Sequence, residues 1–157
     1  EERSNPLGEL IDDAARAWIG RSQDPQRIEI NRSDIIKYSI ATEQRLEKYL
    51  LGDEAPAMFM FGALRPLVPM EELGPDGITV DKFIPELPLK RVMAGGTEMT
   101  FHRTIHPGDV LIATRSLSEM VEKQGSTGPL IFVSYNLVVK TEGGDMVMEE
   151  KQTRILR

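Results

Sequence analysis

Ala55-Pro56-Ala57-Met58-Phe59-Met60-Phe61-Gly62-Ala63-Leu64-Arg65-Pro66-Leu67 is apolar on nearly every side until Arg65. A helix with no polar face has to be buried all round, in a protein core or in a membrane. A membrane span needs roughly 20 apolar residues, and this stretch falls short of that. The rest of the chain is therefore expected to wrap it. Four strand-like runs in the second half supply the wrapper. The reading is an α+β fold, a curved antiparallel sheet around a central buried helix at about 55–67.

The composition bounds what such a fold can do. The chain has 157 residues, 40% of them hydrophobic, which predicts one domain over 1–157 with one core. It has no cysteine, so disulfides, thiolate nucleophiles and thiolate metal sites are excluded. The net charge is -6 and no basic stripe is present, which argues against nucleic-acid binding. No signal peptide or membrane span is read in these residues, and a cytoplasmic protein away from the membrane is expected. The sequence starts at Glu1, so that expectation concerns these residues alone.

Upstream of the central stretch, Leu7, Leu10, Ile11, Ala14, Ala15 and Trp18 recur at helical spacing after Pro6, and Gly20 ends the pattern. Arg27-Ile28-Glu29-Ile30 alternates like a short strand. Ser33 is placed to cap a second helix through Ile35, Ile36, Ser39 and Ile40. Gly52-Asp53-Glu54 is a turn whose carboxylates suit the positive end of the helix that follows.

Downstream, Pro66 and Pro69 stop the helix. Met70 to Leu89 is a long irregular connection, either a lid or binding element or an ordered loop pinned by Phe83 and Ile84. From Lys90 the pattern has period two. In the run Met93 to Ile105, Met99, Phe101 and Ile105 face one way, and Glu98, Thr100 and His102 the other. Gly95-Gly96 marks a bulge, or a place where something meets bare backbone. A strand to about Lys123 follows the turn His106-Pro107-Gly108-Asp109. Ile131, Val133, Tyr135, Leu137 and Val139 form an unbroken apolar face, expected to serve the central helix. Glu142-Gly143-Gly144-Asp145 is a hairpin turn. The last strand, Met146 to Leu156, carries Glu149, Glu150, Lys151 and Arg154, as an edge strand or solvated face would.

The order of these pieces resembles the hot-dog fold of the MaoC-like dehydratases, and more narrowly the dehydratase domain of type I fatty-acid-synthase type. The N-terminal half of mesaconyl-CoA hydratases is similar. The resemblance rests on Trp18-Ile19-Gly20-Arg21, Glu72-Leu73-Gly74-Pro75-Asp76-Gly77, Ala94-Gly95-Gly96, Phe101-His102-Arg103, Pro107-Gly108-Asp109, Gly128-Pro129-Leu130-Ile131-Phe132-Val133 and Glu149-Glu150-Lys151-Gln152. It implies reversible addition of water to the double bond of an enoyl thioester, with no cofactor beyond the coenzyme A or acyl-carrier part of the substrate. It also implies pairing with a second hot dog.

R-specific members of that family use an Asp and a His in Asp-x-Asn-Pro-x-His. One group takes the proton of the attacking water and an acid supplies one to the α-carbon, each transfer being worth roughly 10²–10⁴-fold. Alignment on Ala41-Thr42 puts Gln44 at the Asp position and Tyr49 at the His position, with no Asn-Pro between. Gln cannot act as a base, and a tyrosine with an unperturbed pKa of about 10 is a poor one. The usual dyad is absent from this chain. Asp53 and His102 are the weak substitute candidates. Gly95, Gly96 and Thr97 are candidate substrate-binding residues, and no metal site is read from His102 and His106.

Three readings follow. The leading one is a catalytically degenerate hot dog that shapes an acyl-CoA tunnel beside a partner carrying the Asp and His. The partner is then a different hot-dog chain, or another copy if the chain is self-sufficient with a relocated acid/base. The third reading is a non-catalytic acyl-thioester binding module.

Overall fold

The computed structural model describes Gly8 and residues 10–157. Five strands form one antiparallel sheet in the order β1-β3-β4-β5-β2. They are β1 (Gln26–Glu29), β2 (Val92–Phe101), β3 (Val110–Gly125), β4 (Gly128–Thr141) and β5 (Met146–Leu156). The sheet carries four short helices: α1 (Asp13–Arg16), α2 (Arg32–Ala41), α3 (Glu47–Leu50) and α4 (Phe59–Ala63). The period-two runs became strands where expected, and the register shift between Ala94 and Gly96 is the bulge at the paired glycines.

One face of the sheet is covered in two halves. Over the first, Ile35 of α2 and Phe59 and Met60 of α4 pack on Leu111, Ala113, Leu137, Val139 and Met148. Over the second, Leu10, Ile11, Ala15 and Leu87 pack on Leu117, Met120, Ile131, Val133, Tyr135 and Leu156, flanked by Trp18 and Phe83. Each fully buried Leu or Ile removes enough apolar surface to contribute about 1.5–3 kcal/mol. The apolar face of β4 is thus shared. It serves the central helix over only half its length, because the N-terminal segment and residues 83–89 claim the rest.

The helix at about 55–67 is shorter than its apolar run. Pro56 lies before it, Met58 is its N-cap and Leu64 its C-cap, so only Phe59–Ala63 closes helical hydrogen bonds. It is not buried all round either. Phe59 and Met60 are inside, while Phe61 is 52% exposed and Leu67 lies fully open. An apolar helix with no polar face need not be enclosed by its own chain.

Three other readings need correction. The N-terminal helix is one turn, capped by Asp12, whose Oδ1 accepts from the Ala15 amide at 2.7 Å; Pro6 and Leu7 lie outside the described residues. Helix α2 starts two positions earlier than a Ser33 cap would allow, with Asn31 at its N-cap. Strand β5 is not an edge: it lies between β4 and β2, and the edges are β1 and β2.

Candidate functional site

Register across the sheet places the side chains that share a face. Arg115, Leu137, Glu150 and Met99 stand in one row across β3, β4, β5 and β2. Leu117, Tyr135, Gln152 and Thr97 stand in the next, and Val133, Arg154 and Ala94 in the one after. These rows lie on the covered face, between its two apolar halves. A polar belt therefore crosses the inner surface of the sheet.

At the β2 end of the belt, Glu150 is buried to 5% exposure. Its Oε1 accepts from the Thr97 hydroxyl at 2.6 Å. At the other end, Asp81 reaches in from the long connection. Its Oδ2 accepts from Arg115 Nη1 at 2.9 Å and pairs with Arg154 Nη1 at 2.7 Å, while Oδ1 accepts from the Phe83 amide at 2.9 Å. Burial alone would raise the Asp81 carboxyl, but the Arg115 charge, the Phe83 amide and Arg154 outweigh it and hold it below the usual carboxylate range. The Arg115 guanidinium lies 3.9 Å from the Tyr135 ring centroid. Burial, reinforced by the Asp81 charge, pushes the Tyr135 phenol up to about 12, so it stays a neutral donor. That hydroxyl donates to the Phe83 carbonyl at 2.8 Å.

The residues singled out in the sequence fall in three separate places. Thr97 is on the inner face with Glu150, beside the bulge at Gly95 and Gly96. His102 is on the outer face, where Nε2 lies 2.9 Å from Glu149 Oε2. Asp53 follows α3 and pairs with Arg32, which also donates to the Leu51 carbonyl at 2.9 Å. Gln44 is half-buried after the α2 terminus, its backbone N–H donating to the Ser39 carbonyl at 2.9 Å. Tyr49 is half-buried on α3 with Lys48 over its ring. Among the described residues no hydrogen bond or ion pair joins Asp53, His102, Gln44 or Tyr49 to one another.

Asp81, Arg115, Glu150 and Arg154 were missed, though part of the signal was present. Glu150 and Arg154 have the parity of Met148 and Leu156, and Arg115 that of Ala113 and Leu117. In sequence, inward polar residues at apolar parity look the same as those of an edge strand or a solvated face. Asp81 carries no such mark, since it lies on irregular chain.

The FAS1-like dehydratase domain region matches residues 17–150. The chain belongs to that family. The mesaconyl-C(4)-CoA hydratase of Chloroflexus aurantiacus is 25% identical over 142 residues, covering 90% of this chain. This FAS1-like dehydratase chain spans about half the length of that curated relative. The ChsH1–ChsH2 complex of Mycobacterium tuberculosis contains a chain similar in fold at TM-score 0.69 and 20% identity, covering 93% of this chain and 95% of that one. The HadBC (3R)-hydroxyacyl-ACP dehydratase complex of the same organism matches at TM-score 0.57 and 14% identity, covering 87% and 96%. The fold is the hot dog of the MaoC-like dehydratases. Among the described residues no helix is long and apolar enough to cross a membrane.

Proposed function

We propose that this chain is the catalytically degenerate half of an enoyl-CoA hydratase or 3-hydroxyacyl-thioester dehydratase. It shapes the acyl-CoA tunnel and pairs with a second hot dog that carries the Asp and His. The observation that carries the reading is the contrast between the two sheet edges. Strand β1 is four residues long and charged, with Arg27 paired to Glu29 at 2.9 Å and to Glu142 at 3.1 Å. Such an edge discourages further pairing. Strand β2 has ten residues, one charge among them, and exposed side chains on both faces except at Met99. Its outer row of backbone groups has no strand partner among the described residues. A long, nearly uncharged edge of this kind is a template for another strand.

The partner supplies what Gln44 and Tyr49 lack, a base for the water and an acid for the α-carbon. The heteromeric composition of two fold relatives, ChsH1–ChsH2 and HadBC, supports a partner of a different sequence. The substrate class is carried by the hydratase relative, an acyl-CoA ester. The test is hydration of crotonyl-CoA by the chain alone and with a second hot dog bearing Asp-x-Asn-Pro-x-His. Turnover only in the mixture is expected, with Asp53→Asn and His102→Ala silent. Turnover by the chain alone, lost in either variant, overturns the reading in favour of a self-sufficient homodimer. Tight binding of the ester without turnover in any mixture leaves a binding module.

A further inference from the structure

The ion cluster at the end of the polar belt has more donors than its carboxylate can use. Arg115 and Arg154 come from β3 and β5, on either side of Tyr135, and converge on one oxygen, Asp81 Oδ2. Two cations thus meet one anion. Arg115 Nε and Nη2 are buried and have no acceptor among the described residues. A buried donor without a partner is a cost that folded proteins generally avoid. A planar guanidinium stacked on an aromatic ring is also held in one orientation, and its fork suits a carboxylate.

Asp81 sits where it could leave. The residues after it are anchored, with Phe83 held by the Tyr135 hydroxyl and packed between Trp18 at 5.8 Å and Tyr135 at 6.0 Å. The residues before it form a turn closed on itself by the Leu73–Thr79 bridge, and their apolar side chains Met70, Ile78 and Val80 are exposed. The Arg154 side chain keeps 32% of its exposure, so the cluster can be approached from outside.

We propose that Arg115 and Arg154 form a carboxylate-binding site, that Asp81 is its internal occupant, and that the external ligand is an acyl thioester whose acyl group ends in a carboxylate. The acyl-thioester part of this statement rests on the function proposed above; the carboxylate site does not. The incoming carboxylate displaces Asp81 and reaches the two unused Arg115 donors. No covalent step is involved.

Calorimetric titration of the chain with glutaryl-CoA, hexanoyl-CoA and free CoA tests the assignment. Glutaryl-CoA is expected to bind about tenfold more tightly than hexanoyl-CoA, the value of one charge-assisted hydrogen bond. Arg154→Met should erase that preference and leave hexanoyl-CoA unchanged, and Asp81→Asn should increase it by removing the competitor. Equal affinity for the two esters, unaltered by either variant, overturns the proposal. So does a loss of free-CoA affinity in Arg154→Met, which assigns the arginines to phosphate. If none of the three binds, the thioester reading fails, and the site is decided separately with Asp81→Ala. A saturable rise of its thermal midpoint with acetate, not matched by chloride at equal ionic strength and absent in Asp81→Ala/Arg154→Met, sustains the carboxylate site. A flat response overturns it.

Discussion

Glu122 shows how much one side chain can organise. It stands on β3 and accepts hydrogen bonds from the Gly8, Leu10 and Ile11 amides at 2.6, 3.0 and 2.8 Å. Burial would raise its carboxyl, but those amides and the Arg16 charge hold it below the usual range. It therefore fixes the segment that brings Leu10 and Ile11 onto the second half of the sheet. Glu122→Gln keeps the shape and loses the charge, and should cost about 1–2 kcal/mol in urea unfolding. Amide exchange at Leu10 and Ile11 should accelerate more than exchange in β4. Asp81 makes a parallel case with a pH signature. Its carboxyl is held low in the folded chain, and an unfolded aspartate titrates near about pH 3.9. The stability it contributes is complete above that range and is lost as pH falls through the lower folded value. The stability difference between wild type and Asp81→Asn should therefore be large at about pH 5 and shrink toward about pH 2. Urea midpoints across that range measure it, and a difference that grows on acidification contradicts the assignment.

At the scale of elements, α4 separates two uses of apolar surface. Phe59 is buried against β3 and β4 residues and against Tyr38, ring centroids 5.6 Å apart. Phe61, two positions on, faces outward under the Arg65 guanidinium. Phe59→Ala opens a cavity and should cost about 3–5 kcal/mol of stability. Phe61→Ala should barely move the chain's own melting temperature, yet weaken association with a second hot dog in a pull-down or ultracentrifuge titration. The β2 bulge gives a stricter test of packing. A Cβ at Gly95 would lie 2.9 Å from Ile155 Cγ1 and 3.0 Å from the Thr153 carbonyl. Gly95→Ala must push β2 off β5 and should lower stability by about 1–3 kcal/mol, read from thermal melts.

At the scale of the whole molecule, what could be read beforehand was what alternates. The strands, the hairpin at Glu142–Asp145 and the bulge all follow from local pattern and local turn chemistry, whereas the sequence leaves the long connection as either a lid or a loop pinned by Phe83 and Ile84, and only the fold shows those two side chains packed on the second half of the core. The exposure of α4 did not, because an apolar run is the same whether its cover comes from its own chain or from another. The belt did not, because Asp81 and Arg115 are 34 positions apart and only the fold brings them together. The place of β5 inside the sheet was hidden by polar residues that point inward. These gaps share a physical basis: a single sequence records burial and not what does the burying. The same ambiguity makes the β2 edge testable. If β2 joins another sheet, its outward amides are solvated in the isolated chain and hydrogen-bonded in the assembly, while those bonded to β5 are protected in both. Hydrogen exchange should then show two classes of amide alternating along Val92–Phe101, one slowing at least tenfold when the partner is added. β1, short and charged, should show no such change. Uniform slowing of α4 with no change in β2 would place the second chain on the helix side and leave the sheet edge free.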